Sequence, residues 1–165
     1  MMKAVEDQAR RLTMRPQAVR GEASYDRALQ LARKNGKEYR KVVADLKRSI
    51  KAGNAEAAYA LGNLYYYGKV GYVPVDLNEA VRLFRLAAER GNRDAMYFLG
   101  YCHELGHGVR KNQRRAYQYY LMAAIRGDVD SMDDVARMLY WGIGTHKDRM
   151  AYAAWRQRAS ELVQS

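Results

Sequence analysis

The chain has 165 residues, of which 48% are hydrophobic, so it can bury a core, and this composition argues against disorder throughout. It contains no run of about 18 apolar residues, so no membrane-spanning helix is expected, and the first residues lack the apolar region of a secretory signal. The single cysteine, Cys102, cannot form an internal disulfide, and we therefore expect a reducing, cytoplasmic setting.

The net charge of +11 is unevenly distributed along the chain. Residues 1–54 carry 14 Lys and Arg against 6 Asp and Glu, whereas residues 55–165 carry 15 against 12. A basic segment of this kind attracts an acidic partner, which is a protein, a nucleic acid or a membrane surface, or else it is a solvated arm that aids solubility. Charge alone does not choose among these alternatives.

The N-terminal third divides into two parts. Residues 1–22 are interpreted as a basic arm, either a short helix or disordered. Residues 23–54 are predicted to be helical, with one helix over residues 24–35 and a second within residues 37–53 that ends at Gly53. The second helix has the pattern of half a degenerate copy of the repeats that follow it.

Three segments of similar sequence follow one another from residue 55 onward, and we assign them to residues 55–92, 93–128 and 129–165. Their turn glycines correspond, so that the pair Gly106 and Gly108 of the second segment recurs as Gly142 and Gly144 in the third. Each segment has the pattern of two helices joined by a turn. The chain is therefore predicted to be all-α.

The first helix of each segment places small and apolar residues at helical spacing. In the first two segments these positions are Ala57, Leu61, Gly62 and Tyr65, and then Ala95, Leu99, Gly100 and His103. Glycines end the helix because glycine adopts the positive φ that a helix C-terminus and tight turn require.

The second helix begins at an N-cap residue, whose side-chain oxygen accepts a hydrogen bond from the backbone of the first turn. The predicted N-caps are Asp76, Asn112 and Asp148. Asp76 and Glu79 also have the spacing of a capping box. The predicted buried positions are Ala80, Phe84, Ala87 and Ala88 in the first segment, and Ala116, Tyr120, Ala123 and Ala124 in the second, with Gly91 and Gly127 closing the two helices.

This pattern resembles the Sel1-like repeat family, which is related to the tetratricopeptide repeats. The second segment carries the family pattern at Ala95, Leu99-Gly100, Gly106, Gly108-Val109, Ala116, Ala123-Ala124 and Gly127. The third segment departs from it, because Val135-Ala136 replaces Leu-Gly. The resemblance covers about two-thirds of the chain. It implies a short right-handed α-solenoid of helix-hairpin repeats whose first helices line a concave face.

The stretch His103-Glu104-Leu105-Gly106-His107 matches the H-E-x-x-H pattern of zinc hydrolases. That chemistry needs an unbroken helix through both histidines, whereas Gly106 is predicted to end the helix between them. We therefore expect no metal, no cofactor and no catalysis, and a zinc hydrolase is the least favoured of the functions considered. Cys102 is interpreted as a small apolar core residue.

Helix phase predicts which side chains of the first helices are exposed on the concave face. These are Tyr59, Asn63, Tyr66, Tyr97, Tyr101, Glu104, Asp133, Arg137 and Tyr140. Five of the nine are tyrosines, which bury a large area at little cost in side-chain entropy and are enriched at interfaces. The alternative for each tyrosine is that it packs against a neighbouring hairpin.

The resemblance and the tyrosines together predict a protein-interaction module, acting as adaptor, scaffold or inhibitor. The basic residues Arg40, Lys41, Lys47 and Arg48 predict that its protein or peptide partner is acidic. The alternative is nucleic-acid binding through the basic N-terminal third. That alternative is less favoured because most of the aromatic residues that would stack on bases lie outside the basic segment.

Overall fold

The structure is a computed structural model that describes residues 39–68 and 73–163. The predicted arm over residues 1–22 and the predicted helix over residues 24–35 lie outside the described residues. The regular secondary structure of the described residues consists of α-helices, as the sequence pattern predicts. The helices are α1 (Tyr39–Lys51), α2 (Ala55–Tyr67), α3 (Leu77–Glu89), α4 (Arg93–Leu105), α5 (Gln113–Ile125), α6 (Val129–Trp141) and α7 (Arg149–Val163).

The chain divides into two compact units, with the boundary after Ala95. In the N-terminal unit α1 packs against α2, and α2 packs against α3. The core between them is built from Val42, Leu46, Ala57, Leu61 and Leu83, all buried. Burial of these side chains is what stabilises helices of this length, since short helices are marginal alone in water.

Two side chains attach the loop after α3 to the helices before it. Arg90 donates a hydrogen bond to the carbonyl oxygen of Ile50 at 3.0 Å. The Asn92 side chain donates to Glu56 at 2.7 Å, and its own oxygen accepts from the Ala95 backbone at 2.7 Å. Asn92 is therefore the N-cap of α4 and at the same time a link to α2.

In the C-terminal unit α5 packs against α6, and α6 packs against α7. The core here is richer in methionine and aromatic residues. Its buried members are Ala116, Tyr120, Ala124, Met132, Val135, Met138, Leu139 and Ala159. The last helix contributes the buried Ala159 to this core, and its partly buried residues Ala151, Tyr152 and Trp155 pack against it.

The predicted packing positions are confirmed. The eight predicted positions on the second helices, from Ala80 to Ala124, are all buried. On the first helices, seven of the eight positions are buried, whereas Tyr65 is half-buried. Gly91 and Gly127 have φ values of 89° and 87°, as expected of helix-closing glycines.

One backbone hydrogen bond recurs in every hairpin and fixes the register between its two helices. The amide of each predicted N-cap donates to a carbonyl near the end of the first helix: Asp76 to Tyr65 (2.9 Å), Asn112 to His103 (2.8 Å) and Asp148 to Leu139 (3.0 Å). These three positions are therefore structurally equivalent. The positions around them can be compared from hairpin to hairpin.

The predicted N-caps are confirmed. Of the two hydrogen bonds of the predicted capping box, the one accepted by Asp76 is present and the one accepted by Glu79 is not. The Asp76 side chain accepts from the Glu79 backbone at 2.9 Å. Glu79 does not return the bond, because the Asp76 amide is already bonded to Tyr65 and the Glu79 carboxylate accepts two bonds from Arg82, at 2.7 and 2.6 Å. The attraction of an arginine one turn away outweighs the reciprocal cap.

Candidate functional site

The two histidines of the H-E-x-x-H stretch do not share a helix. Helix α4 ends at Leu105, Gly106 has a φ of 85°, and His107 lies in the following turn. His103 is buried and stacks on Tyr119 with ring centroids 5.5 Å apart. Within residues 39–68 and 73–163, no group of three His, Cys, Asp or Glu side chains is placed to hold a metal ion. The predicted helix break is confirmed, and absence of zinc stays a prediction.

Cys102 is fully buried in α4. Burial raises the pKa of its thiol to about 12. The thiolate is the nucleophilic form of cysteine, and at neutral pH this side chain stays a protonated thiol. The environment of Cys102 is therefore that of a core residue.

The predicted binding residues of α2 are half-buried against their own hairpin. The rings of Tyr59 and Tyr66 lie 6.0 and 6.2 Å from the ring of Phe84, which is itself fully buried. Burial raises the pKa of Tyr59, and the side chain of Asn63 forms a hydrogen bond with it. The two tyrosines are therefore fixed in place on one side and partly accessible on the other.

The predicted residues of α4 have a more acidic environment. The ring of Tyr97 lies 5.7 Å from that of Tyr120. The pKa of Tyr97 is raised by burial first, and then by the negative charges of Asp134, Asp130 and Asp128. Tyr101 is half-buried, with its ring edge-on to His107 at 5.9 Å.

Glu104 and Arg137, two further predicted binding residues, bond to each other. Arg137 donates to both carboxylate oxygens of Glu104 at 2.9 and 3.1 Å and to Asp134 at 2.7 Å. Glu104 also accepts a hydrogen bond from the Tyr120 hydroxyl at 2.9 Å. These four half-buried or buried side chains form one network that connects α4, α5 and α6.

The remaining two predicted residues are more exposed. Asp133 forms an ion pair with Arg156 of α7. Tyr140 is 37% exposed, packs edge-on against Trp141 at 4.7 Å, and has the Arg149 guanidinium 5.8 Å from its ring centroid. The nine predicted residues thus all keep accessible surface, whereas several already have partners within the chain. Their role in binding stays a prediction.

The predicted basic residues Arg40, Lys41, Lys47 and Arg48 all lie on the exposed side of α1. Arg48 is neutralised by Asp45, with which it forms an ion pair at 2.8 Å. Lys47 lies close enough to Glu79 to help lower the pKa of that carboxyl, although Arg82 is the main cause. A basic surface is therefore present on α1, weakened at Arg48.

None of the helices in the described ranges is both long and apolar enough to cross a membrane.

Known proteins are similar to this chain in the same repeats that the sequence pattern indicates. The Sel1 repeat family model matches residues 55–92 and 93–128. The chain is 36% identical over 73 residues to an ERAD-associated E3 ubiquitin-protein ligase component of Arabidopsis thaliana, covering 44% of this chain and 12% of that protein. It is 31% identical over 91 residues to chitin synthase regulatory factor 2 of Schizosaccharomyces pombe, covering 55% of this chain and 18% of that protein.

The fold is also found among solved structures. A protective antigen of uropathogenic Escherichia coli strains, which displays an SLR fold, superposes with a TM-score of 0.79 at 29% identity. That alignment covers 86% of this chain and 30% of the antigen. The chain thus spans a small part of each relative, and the likeness establishes the repeat rather than the activity of the whole protein. The chain thus carries two Sel1 repeats, at residues 55–92 and 93–128, and it has the predicted all-α repeat fold.

Proposed function

We propose that this chain is a non-catalytic protein-interaction module that binds a protein or peptide partner through the tyrosines of its first helices. The observation that carries the proposal is the partial burial and ring packing of four tyrosines, Tyr59, Tyr66, Tyr97 and Tyr101. Each is half-buried, and three of them are packed against an aromatic ring of their own hairpin. Such rings present apolar area without losing much side-chain entropy on binding.

The relatives support a role in regulation or assembly. One is named as a component of a ubiquitin ligase and the other as a regulatory factor of chitin synthase. Neither name describes a catalytic subunit. We extend this to an adaptor, scaffold or inhibitor role for the present chain, in the cytoplasm, and to residues 129–165 as a third repeat, since α6 and α7 form the same capped hairpin.

We further propose that the partner is acidic. Residues 1–54 carry most of the net positive charge, and the described part of that segment exposes Arg40, Lys41 and Lys47 on α1. Such exposed charges act mainly on the rate of association and are screened by salt beyond about 10 Å at 0.1 M. Charge reversal at these residues should therefore slow association and flatten its dependence on salt.

The proposal is tested with a partner recovered by pull-down, in surface-binding kinetics. Tyr97→Ala and Tyr101→Ala should each weaken binding by about 1–3 kcal/mol, chiefly through faster dissociation, because a truncated aromatic anchor leaves an unfilled contact. Tyr117→Ala, on the second helix, is the matched control and should bind as wild type once folding is verified. Unchanged affinity in both α4 variants would show that the contact lies on another face.

The alternative, nucleic-acid binding, is settled by the same protein on a nucleic-acid column. Retention that is lost steeply with added salt and on charge reversal of Arg40, Lys41 and Lys47 would favour it over a protein partner.

A further inference from the structure

The turn between α4 and α5 concentrates positive charge in a part of the chain that is otherwise close to neutral. Four of the six residues from 110 to 115 are Lys or Arg. Three of them, Arg110, Lys111 and Arg115, line an open cavity of about 470 Å³. The rest of its wall is His103, Val109 and Asn112. None of these residues is among the predicted basic residues of α1, and the function proposed above makes no use of them.

The three cations are not neutralised within the described part of the chain, where no ion pair involves Arg110, Lys111 or Arg115. Other arginines of the repeats behave differently: Arg82 pairs with Glu79 at 2.6 Å, and Arg137 pairs with Asp134 at 2.7 Å. The cavity also lies at the N-terminus of α5, whose backbone dipole adds positive potential. An anion in the cavity would therefore meet uncompensated positive charge.

The same positions in the other hairpins show that the fold does not require these cations. The positions of Arg110, Lys111 and Arg115 are taken in the first hairpin by Pro74, Val75 and Glu79, and in the third by His146, Lys147 and Ala151. The N-cap is also different: aspartate in the first and third hairpins, and uncharged Asn112 in the second. Only the second hairpin combines three cations with a neutral cap.

We propose that this cavity binds the carboxylates of an acidic segment of the partner protein. Two arginines and a lysine match carboxylates in charge, and the guanidinium fork donates two parallel hydrogen bonds to one carboxylate. The cavity is open and its three cations are exposed, which suits an extended segment carrying several charges better than one small enclosed anion. Its wall contains no Phe, Tyr or Trp on which a nucleic-acid base would stack.

This inference rests on the proposed function, because it places the acidic partner's charge at a named site. It is tested without the natural partner, by fluorescence anisotropy of a labelled oligoglutamate peptide titrated with the full chain at about 0.1 M salt, where the screening length is about 10 Å. If this assay shows no binding, the proposed function can still be tested by the binding kinetics of Tyr97→Ala and Tyr101→Ala. The two outcomes are therefore distinguishable.

The decisive variant is the triple substitution Arg110→Gln, Lys111→Gln and Arg115→Gln, which should weaken peptide binding by about 10-fold or more. The control removes the same charge at exposed cations elsewhere, with Lys51→Gln, Arg85→Gln and Lys147→Gln. It should change the affinity by about 2-fold or less, since none of these three cations lines the cavity and exposed charges that do not contact the peptide are screened by salt. Equal losses in the two triple variants would mean non-specific attraction and would overturn the proposal.

A single substitution tests whether weaker peptide binding could be explained by loss of folding. Asn112→Asp introduces the cap that the other two hairpins already use, so the thermal midpoint should match or exceed that of wild type. The added negative charge at the cavity wall should nevertheless weaken oligoglutamate binding about 3-fold or more. Unchanged binding by this variant and by the triple variant would refute the site.

Two competing anions complete the test. Inorganic phosphate that displaces the peptide at equal or lower concentration would show that the cavity is a small-anion site, against the proposal. Single-stranded DNA that binds more tightly than the peptide, and loses this affinity in the Arg110, Lys111 and Arg115 variant, would assign the cavity to nucleic acid instead. Weaker competition by both, together with the losses described, supports the acidic peptide.

Discussion

Where the first repeat packs Phe84 against Gly62, the second packs Tyr120 against Gly100. The backbone approach is the same: a Cβ atom placed on either glycine would lie 2.6 Å from a ring carbon. The surroundings of the two rings differ. Tyr120 donates its hydroxyl hydrogen bond to Glu104, which is also bonded to Arg137, whereas Tyr66 in the first repeat stands where Glu104 stands in the second.

This difference shows what the repeat requires and what it leaves variable. Glycine opposite a buried ring is common to both hairpins, because no larger residue fits there. The polar atoms around the ring vary, and in the second repeat they attach the hairpin to α6 through a chain of hydrogen bonds. The buried ring of the first hairpin is held by apolar contact, and that of the second by apolar contact together with a polar network.

The largest expected effect comes from filling the glycine positions. Gly100→Ala should destabilise the protein by about 3 kcal/mol, because the new methyl group meets the Tyr120 ring and that ring is held by its bond to Glu104. Gly62→Ala should cost less, about 1–2 kcal/mol, since the Phe84 ring has no hydroxyl to hold it against a small shift. Urea unfolding of both variants measures the two values.

In both variants the gain in helix propensity from glycine to alanine, about 1 kcal/mol, is already included. Equal losses in the two variants would mean that the hydroxyl bond does not restrain Tyr120. Stabilisation of either variant would contradict the close approach of ring and backbone.

Much of this architecture follows from the sequence. The period of small and apolar residues gives the buried positions of α2 to α5, and the residue types Asp and Asn give the second-helix N-caps. The caps of the first helices, Asn54, Asn92 and Asp128, carry the same signal three residues before the amide that they accept from, and they were open to the same prediction.

The polar contacts between helices do not follow from the sequence in the same way. Glu104 and Arg137 are 33 residues apart, and their pairing depends on how α4 and α6 are rotated relative to each other. Local spacing contains no such information, and both residues were predicted as groove residues exposed to a partner. The cavity beside Arg110 likewise depends on how the turn folds back, although the four basic residues among positions 110–115 are visible in the sequence.

The next test exchanges the ring types of the two repeats, at Phe84 and at Tyr120. Phe84→Tyr should cost about 2 kcal/mol, because the fully buried ring would carry a hydroxyl into a place where Tyr66 stands instead of Glu104 and offers no carboxylate. Tyr120→Phe should cost only about 1 kcal/mol, since Glu104 keeps its bonds to Arg137. Thermal unfolding at fixed pH compares the pair. A larger loss for Tyr120→Phe than for Phe84→Tyr would mean that the polar network contributes more to folding than the apolar contact.

The smallest expected effect is a pH dependence that arises at Asp134, in the network between the second and third hairpins. Burial is the main cause that raises the pKa of Asp134 above its ordinary value of 3.8; Glu104 and Asp130 raise it further, and Arg137 opposes the shift. A carboxyl with a raised pKa in the folded state stabilises the fold below the unfolded pKa, and this contribution is lost as the pH rises through the folded pKa.

The unfolding free energy of wild type, measured against Asp134→Asn in urea, should therefore fall as the pH rises above the ordinary value of 3.8 and through the raised pKa. The expected fall is under about 1 kcal/mol, because Asp134 is partly exposed and solvent screens the charge. Arg137→Gln should steepen the fall, since it removes the cation that opposes the shift. A stability difference that stays constant or grows with pH would show that Arg137 compensates fully for burial of the carboxylate.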